Sequence, residues 1–252
     1  MKEGALKIVR HRYAAALLLV QPLLLVGCDS VSVTNTAVPV PLENAVAEVP
    51  APQGDERLIL AFGDSLYAGY GLERGESLAD AVQARLRTAG INAHVVNAGV
   101  SGDTTAAGRQ RLAFSLDNLA RTPDLVLLGL GGNDVLRQIS PEETRANMVA
   151  MLDELKKRRV PVVLTGMQAP PNLGPEFGAR FNAIWADLAR EYGTGLYPFI
   201  LDGVIGDPAL MLPDRVHPNA AGVGRIADRL TPVVREALPK GSGPKGSAPE
   251  AR

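Results

Sequence analysis

The chain has one cysteine in 252 residues, Cys28, so it forms no disulfide within itself. Histidine is scarce too, at three residues, and one of these, His11, falls in a leader-like stretch, which leaves two candidates for a general base. Neither sign of charge dominates, with 26 basic and 27 acidic side chains, and nothing in that balance suggests a nucleic-acid partner. Long apolar runs are also missing. The longest near the start covers residues 13 to 26 and contains Gln21 and Pro22, whereas a membrane-spanning helix needs about 20 apolar residues, so a permanent transmembrane anchor is the weaker reading. No internal repeat occurs, and no His, Cys, Asp or Glu cluster has metal-ligand spacing.

What the start does have is Lys2, Lys7, Arg10 and Arg12 ahead of that apolar run, the layout of a secretory signal. It ends in Leu25-Val26-Gly27-Cys28, which resembles the bacterial lipobox, where the cysteine becomes the first mature residue and carries lipid. Residues 1–27 are therefore read as a lipoprotein-type signal peptide and Cys28 as the lipidated residue. The expected location is the periplasmic face of a bacterial membrane. Removing Lys2, Glu3, Lys7, Arg10 and Arg12 leaves 22 basic and 26 acidic residues, a net charge of −4. Residues 29 to 56, rich in Val, Pro, Ala, Ser and Thr without periodicity, read as an extended tether, and 239–252 as a disordered tail. One domain is expected between them, over 57–238.

Within that domain, short apolar runs alternate with amphipathic stretches. Candidate strands are Leu58 to Phe62, Ala93 to Asn97, Leu125 to Leu130, Val160 to Thr165 and Leu196 to Phe199. The third and fourth are nearly continuous apolar runs, as expected of parallel strands covered on both faces. Ser77 with Asp80, and Ser140-Pro141 with Glu143, predict capped helix starts. Apolar positions then recur at three and four, as in Phe177, Phe181, Ile184 and Leu188. Pro232 predicts a kink or split in the last helical stretch, 219 to 238, with Thr231 capping a short final helix. Five βα units imply an α/β fold, a doubly wound sheet of five parallel strands with helices on both faces.

Four blocks stand at or beyond the carboxyl ends of these strands: Gly63-Asp64-Ser65-Leu66, Gly99-Val100-Ser101-Gly102-Asp103, Gly131-Gly132-Asn133-Asp134 and Asp214-Arg215-Val216-His217-Pro218. Ligands bind beyond that edge in such sheets, so the candidate groups converge there. His94 lies inside a predicted strand and reads as structural or surface, which leaves His217 as the base. Asp214, three residues upstream between Pro213 and Pro218, can accept from its other ring nitrogen. Ser65 is the nucleophile candidate and Ser101 its rival. The competing reading of Ser65 is a helix cap after a strand, and that of Asn133 a residue tolerating a left-handed turn. A side-chain amide at Asn133, the backbone N–H of Gly102 and that of Ser65 are the candidate oxyanion donors. Asp64, Asp103 and Asp134 read as loop braces. A metal site built from them with His217 is the alternative chemistry. The Gly-x-Ser-x-Gly elbow of α/β-hydrolases is absent.

In this order and spacing, from about residue 58 to 231, the four blocks resemble the SGNH (GDSL) hydrolases. Gly63-Asp64-Ser65-Leu66-Tyr67-Ala68-Gly69-Tyr70 is most similar to the branch of periplasmic multifunctional thioesterases, lysophospholipases and arylesterases. The resemblance implies a flavodoxin-like sheet, no metal or organic cofactor, Ser65, Asp214 and His217 as the catalytic triad, and Gly102 and Asn133 as oxyanion donors. It further implies a small acyl ester, thioester or lysophospholipid as substrate, and a monomer is expected. The acyl chain is expected along Gln168 to Pro175 and the apolar residues of Val204 to Leu212. A carbohydrate O-deacetylase on the same scaffold, or a lipoprotein that binds a small anion without turnover, are the competing readings.

Overall fold

A computed structural model describes residues 52–240; the signal segment, Cys28, the tether as far as residue 51 and the tail from 241 lie outside them. Five strands, β1 (Gln53–Gly63), β2 (Ile91–Gly99), β3 (Leu125–Gly129), β4 (Val162–Thr165) and β5 (Gly195–Tyr197), pair in parallel in the order β2-β1-β3-β4-β5. That is the flavodoxin-like order, with its switch point between β1 and β3. Every residue of β3 and β4 is buried, which accounts for their unbroken apolar sequence.

The first strand begins earlier than its sequence suggests. Gln53 pairs with Ile91, and the register shifts before Arg57 pairs with Ala93, so residues 53 to 56 belong to the sheet and not to a tether ending at 56. Gly54, Asp55 and Glu56 are exposed, so backbone pairing past a register irregularity holds this stretch, and hydropathy carries no trace of it.

The helices are α1 (Ser65–Ala68), α2 (Leu78–Thr88), α3 (Thr105–Asp117), α4 (Gly132–Leu136), α5 (Pro141–Lys157), α6 (Pro175–Tyr192) and α7 (Ala220–Ala237). Ser77 and Asp80 close a reciprocal capping box on α2, and Ser140 caps α5 with Pro141 at its first position. α2 packs against α7, while α3, α5 and α6 pack in a row, giving a helical layer on each face. The last helix is not split. Pro232 sits inside a continuous α7, and Thr231, instead of capping, donates its hydroxyl to the Ala227 carbonyl at 2.6 Å. Fully buried Leu230 and Val234 clamp the helix on both sides of the proline, and that packing outweighs a cost of about 3 kcal/mol.

One row across the sheet prepares the site. Gly99, Gly63 and Gly129 lie side by side at the ends of β2, β1 and β3. A Cβ on Gly63 or Gly129 would come within 2.4 Å of the Tyr67 ring, and one on Gly99 within 2.2 Å of the Ala68 nitrogen. The glycine row is thus the floor on which α1 lies, directly over the carboxyl edge of the sheet.

Candidate active site

Ser65 is the first residue of α1. Asp64 precedes it as N-cap, its Oδ1 accepting from the Leu66 N–H at 3.1 Å. Behind the serine, Tyr67 is fully buried on the glycine floor, its hydroxyl 2.9 Å from Thr165 Oγ1, and the Asn97 amide donates to the Tyr67 carbonyl at 2.8 Å. The serine therefore stands on a turn pinned from three strands. Asp64 is 2 % exposed, and burial pushes its carboxyl up to about 6, with the Leu66 N–H pulling the other way.

His217 reaches the serine from the loop before α7. Asp214 Oδ1 accepts from the Val216 and His217 N–H groups at 2.9 and 3.0 Å, a local turn that leaves Arg215 in the left-handed region at φ 57°. Leu212 N–H donates to the His217 carbonyl at 2.8 Å and Met211 bridges to Pro218, so the loop is closed at its base. Asp214 Oδ2 lies 2.7 Å from His217 Nδ1, and His217 Nε2 lies 2.8 Å from Ser65 Oγ. The backbone N–H of His217 first, then its imidazole and the Val216 N–H, hold the Asp214 carboxyl down at about 2. The ring of Tyr70 covers the imidazole at a centroid distance of 4.4 Å.

Asn133 enters from the other side of the switch point. Gly131, at φ 110°, turns the chain after β3 into α4, and Asn133 Nδ2 donates to the Asp103 carbonyl at 3.0 Å. An amide has a second hydrogen, and Asn133 borders the same cavity as Ser65 and His217. Gly102 does not border that cavity; it immediately precedes the carbonyl that holds Asn133, and its own carbonyl accepts from Arg137 at 2.9 Å. The three block aspartates brace loops as expected. Asp103 pairs with Arg111 at 2.5 Å, and Asp134, fully buried, accepts from the Thr105 N–H at 2.8 Å and from the hydroxyls of Thr105 and Thr144. Ser101 is exposed in its turn and meets no imidazole among the described residues. His94 is half exposed on edge strand β2, 3.8 Å from Glu56.

A cavity of about 380 Å³ opens beside the Ser65 hydroxyl. Met167, Gln168, Ala169, Pro170 and Pro171 line one side, which matches the first half of the expected acyl stretch. The second stretch is mostly wrong. Val204, Leu210 and Met211 are buried in the core, Leu212 lies against Gly71, and only Ile205 reaches the cavity. Leu66, Val135, Leu136, Phe199, Leu201 and Val216 take their place. Two further residues were given no role by the sequence, Tyr70 although it ends the extended first block and Arg111 outside every block. Tyr70 lies tilted over His217, and Arg111 ties Asp103 to the Ala98 and Gly63 carbonyls at 2.8 and 2.9 Å while its guanidinium lies over Phe62.

Among the described residues no group of three or more His, Cys, Asp or Glu side chains is arranged to hold a metal ion. Nor is any described helix long and apolar enough to cross a membrane.

Comparison with known proteins shows the family and the fold. The crystal structure of AlinE4, an SGNH-hydrolase family esterase, superposes with a TM-score of 0.63 at 49 % identity, covering 75 % of this chain and 100 % of that one. Esterase TesA of Pseudomonas aeruginosa is 35 % identical over 186 residues, 74 % of this chain and 92 % of that protein. Thioesterase 1/protease 1/lysophospholipase L1 of Escherichia coli is 33 % identical over 180 residues, 70 % of this chain and 84 % of that one. The model of the GDSL-like lipase/acylhydrolase family matches residues 61–225, and this chain belongs to that family.

Proposed function

We propose that the protein hydrolyses esters or thioesters of apolar acyl chains through an acyl-enzyme on Ser65. The observation that carries this is the unbroken line from Asp214 through His217 to a serine hydroxyl 2.8 Å away, at the wall of a mainly apolar cavity. His217 Nε2 takes the Ser65 proton as Oγ attacks the carbonyl carbon, and Asp214 steadies the imidazolium through Nδ1. The second amide hydrogen of Asn133 and the N–H of Ser65, both at the cavity wall, receive the oxyanion, while the Gly102-Asp103 turn holds Asn133 in place. His217 then protonates the leaving alcohol or thiol, and water releases the acyl group by the same route. The names of the Pseudomonas and Escherichia relatives, an esterase and a thioesterase/lysophospholipase, support this substrate class.

The cavity also favours a chain over an acetyl group, because most of its lining is aliphatic carbon that acetate would not touch. Each methylene taken out of water contributes about 0.8 kcal/mol, close to fourfold in kcat/KM until the cavity is filled. The test is a rate profile of residues 29–252 on p-nitrophenyl esters from acetate to palmitate, with an acyl-CoA and a lysophospholipid alongside. A rise from acetate to medium chains is expected. A maximum at acetate would hand the site to the deacetylase reading.

The basic and apolar leader with Leu25-Val26-Gly27-Cys28 supports an exported protein anchored by lipid on Cys28 at the periplasmic face of a membrane. Several acyl chains on one cysteine exceed the single chain that gives only marginal membrane binding.

A further inference from the structure

Six large apolar side chains are exposed among the described residues, and they are not scattered. Leu136, Ile205 and Val216, exposed by 61, 52 and 40 %, stand on three different segments around the cavity mouth. Tyr70, 52 % exposed, covers His217, and Val100 adjoins the Gly102 turn that Arg137 contacts. Only Phe114, on α3, lies away from these loops. A soluble protein rarely concentrates apolar surface in this way without something to cover it.

Two cations share the rim. Arg215 lines the cavity and Arg137 follows Leu136, and neither has a carboxylate partner among the described residues. The acids of the Ile205 loop are engaged elsewhere, Asp202 with Arg229 at 2.7 Å and Asp207 with the Ala209 N–H at 2.9 Å. We infer that this rim is a docking surface for a phospholipid bilayer with anionic head groups, so that the mouth opens onto the lipid that supplies its substrate. The inference rests on the acyl-ester reading of the same site.

Chain length permits it on the membrane that would carry Cys28. The chain enters the sheet at Gln53, and the mouth lies at the far end of β1, an 11-residue strand of about 36 Å. From Cys28 to Gln53 the backbone spans at most about 90 Å when extended, more than enough to pass along the domain and return the mouth to the surface.

The test uses residues 29–252, which retain every described element, carrying Ser65→Ala to stop turnover. The protein is floated with vesicles of phosphatidylcholine containing about one-third phosphatidylglycerol, and with pure phosphatidylcholine. Binding to the anionic vesicles is expected. Leu136→Asp and Ile205→Asp should each lower partitioning at least about tenfold, because each withdraws an aliphatic side chain from the contact. Arg137→Gln and Arg215→Gln should each lower it about fivefold, on the anionic vesicles only. Phe114→Asp should change nothing.

Absence of vesicle binding, or binding that all four rim variants leave intact, overturns the inference. So does a dimer on size exclusion that Leu136→Asp dissolves, which would make a second copy the occupant. Hydrolysis of a short soluble ester by the parent chain, measured without vesicles, reports on the function separately: a chain that turns over ester but never floats loses only the docking surface.

Discussion

Replacing Asp64 with Asn should stabilise the protein, and only above a definite pH. Asp64 is 2 % exposed beside Ser65, and burial raises its carboxyl from 3.8 to about 6. A raised acid gives stability that is fully present below the unfolded value and lost as pH rises through the folded one. Between about pH 4 and 6 the native protein therefore loses stability on this account, by about 3 kcal/mol. Asparagine caps a helix about as well as aspartate and has no charge to desolvate, so the Leu66 N–H keeps its acceptor. Part of the gain is offset by the Asn amide, which faces Gly132 and the cavity, leaving a net increase of about 1–3 kcal/mol at pH 8 and close to zero at pH 4. Urea denaturation of both proteins from pH 4 to 8 measures the difference directly. A difference that does not vary with pH, or that favours the aspartate as pH rises, would refute the reasoning. A buried charge kept against its own stability is what a functional site leads one to expect.

The other groups give sharper kinetic expectations. Asn133→Ala should lower kcat about 10²–10³-fold with KM little changed, as for loss of one oxyanion donor; a loss confined to KM would recast it as a binding residue. Asp214, held at about 2, is ionised throughout the working range, and the stability it lends is present above pH 3.8 and lost only as pH falls toward 2. Asp214→Asn should therefore act chiefly through the imidazole, lowering kcat by about 10⁴-fold at pH 7 with only a small fall in melting temperature from the lost carboxylate, and unchanged turnover would remove it from the triad. In a Gram-negative host the full chain should label with palmitate in the membrane fraction, and Cys28→Ser should not; a soluble protein whose N-terminus lies beyond residue 28 would end the lipoprotein reading.

Much of this was legible because two kinds of signal leave a local mark. The apolar runs of β3 and β4 and the caps at Ser77 and Ser140 encode their elements within a few residues. Ser65, Asn133, Asp214 and His217 were traceable because a parallel sheet sends its carboxyl ends to one edge, so placing each block after its strand placed it at the site. What escaped depends on distant partners. Residues 53 to 56 join β1 through pairing with β2, not through side-chain pattern. The continuity of α7 through Pro232 comes from burial of Leu230 and Val234. Tyr70 over His217 spans almost 150 positions of sequence, and the cavity wall draws single residues from several segments. The expectation for Val204 to Leu212 failed because apolar character alone does not tell a crevice from a core.

The central claim is that Ser65 is the nucleophile. Residues 29–252, exposed to a fluorophosphonate probe and digested, should carry one phosphonate, on the peptide that contains Ser65, with esterase activity lost in parallel. Ser65→Ala should neither label nor turn over ester, while Ser101→Ala should do both. A label on Ser101, or ester turnover that survives in Ser65→Ala, would contradict the claim.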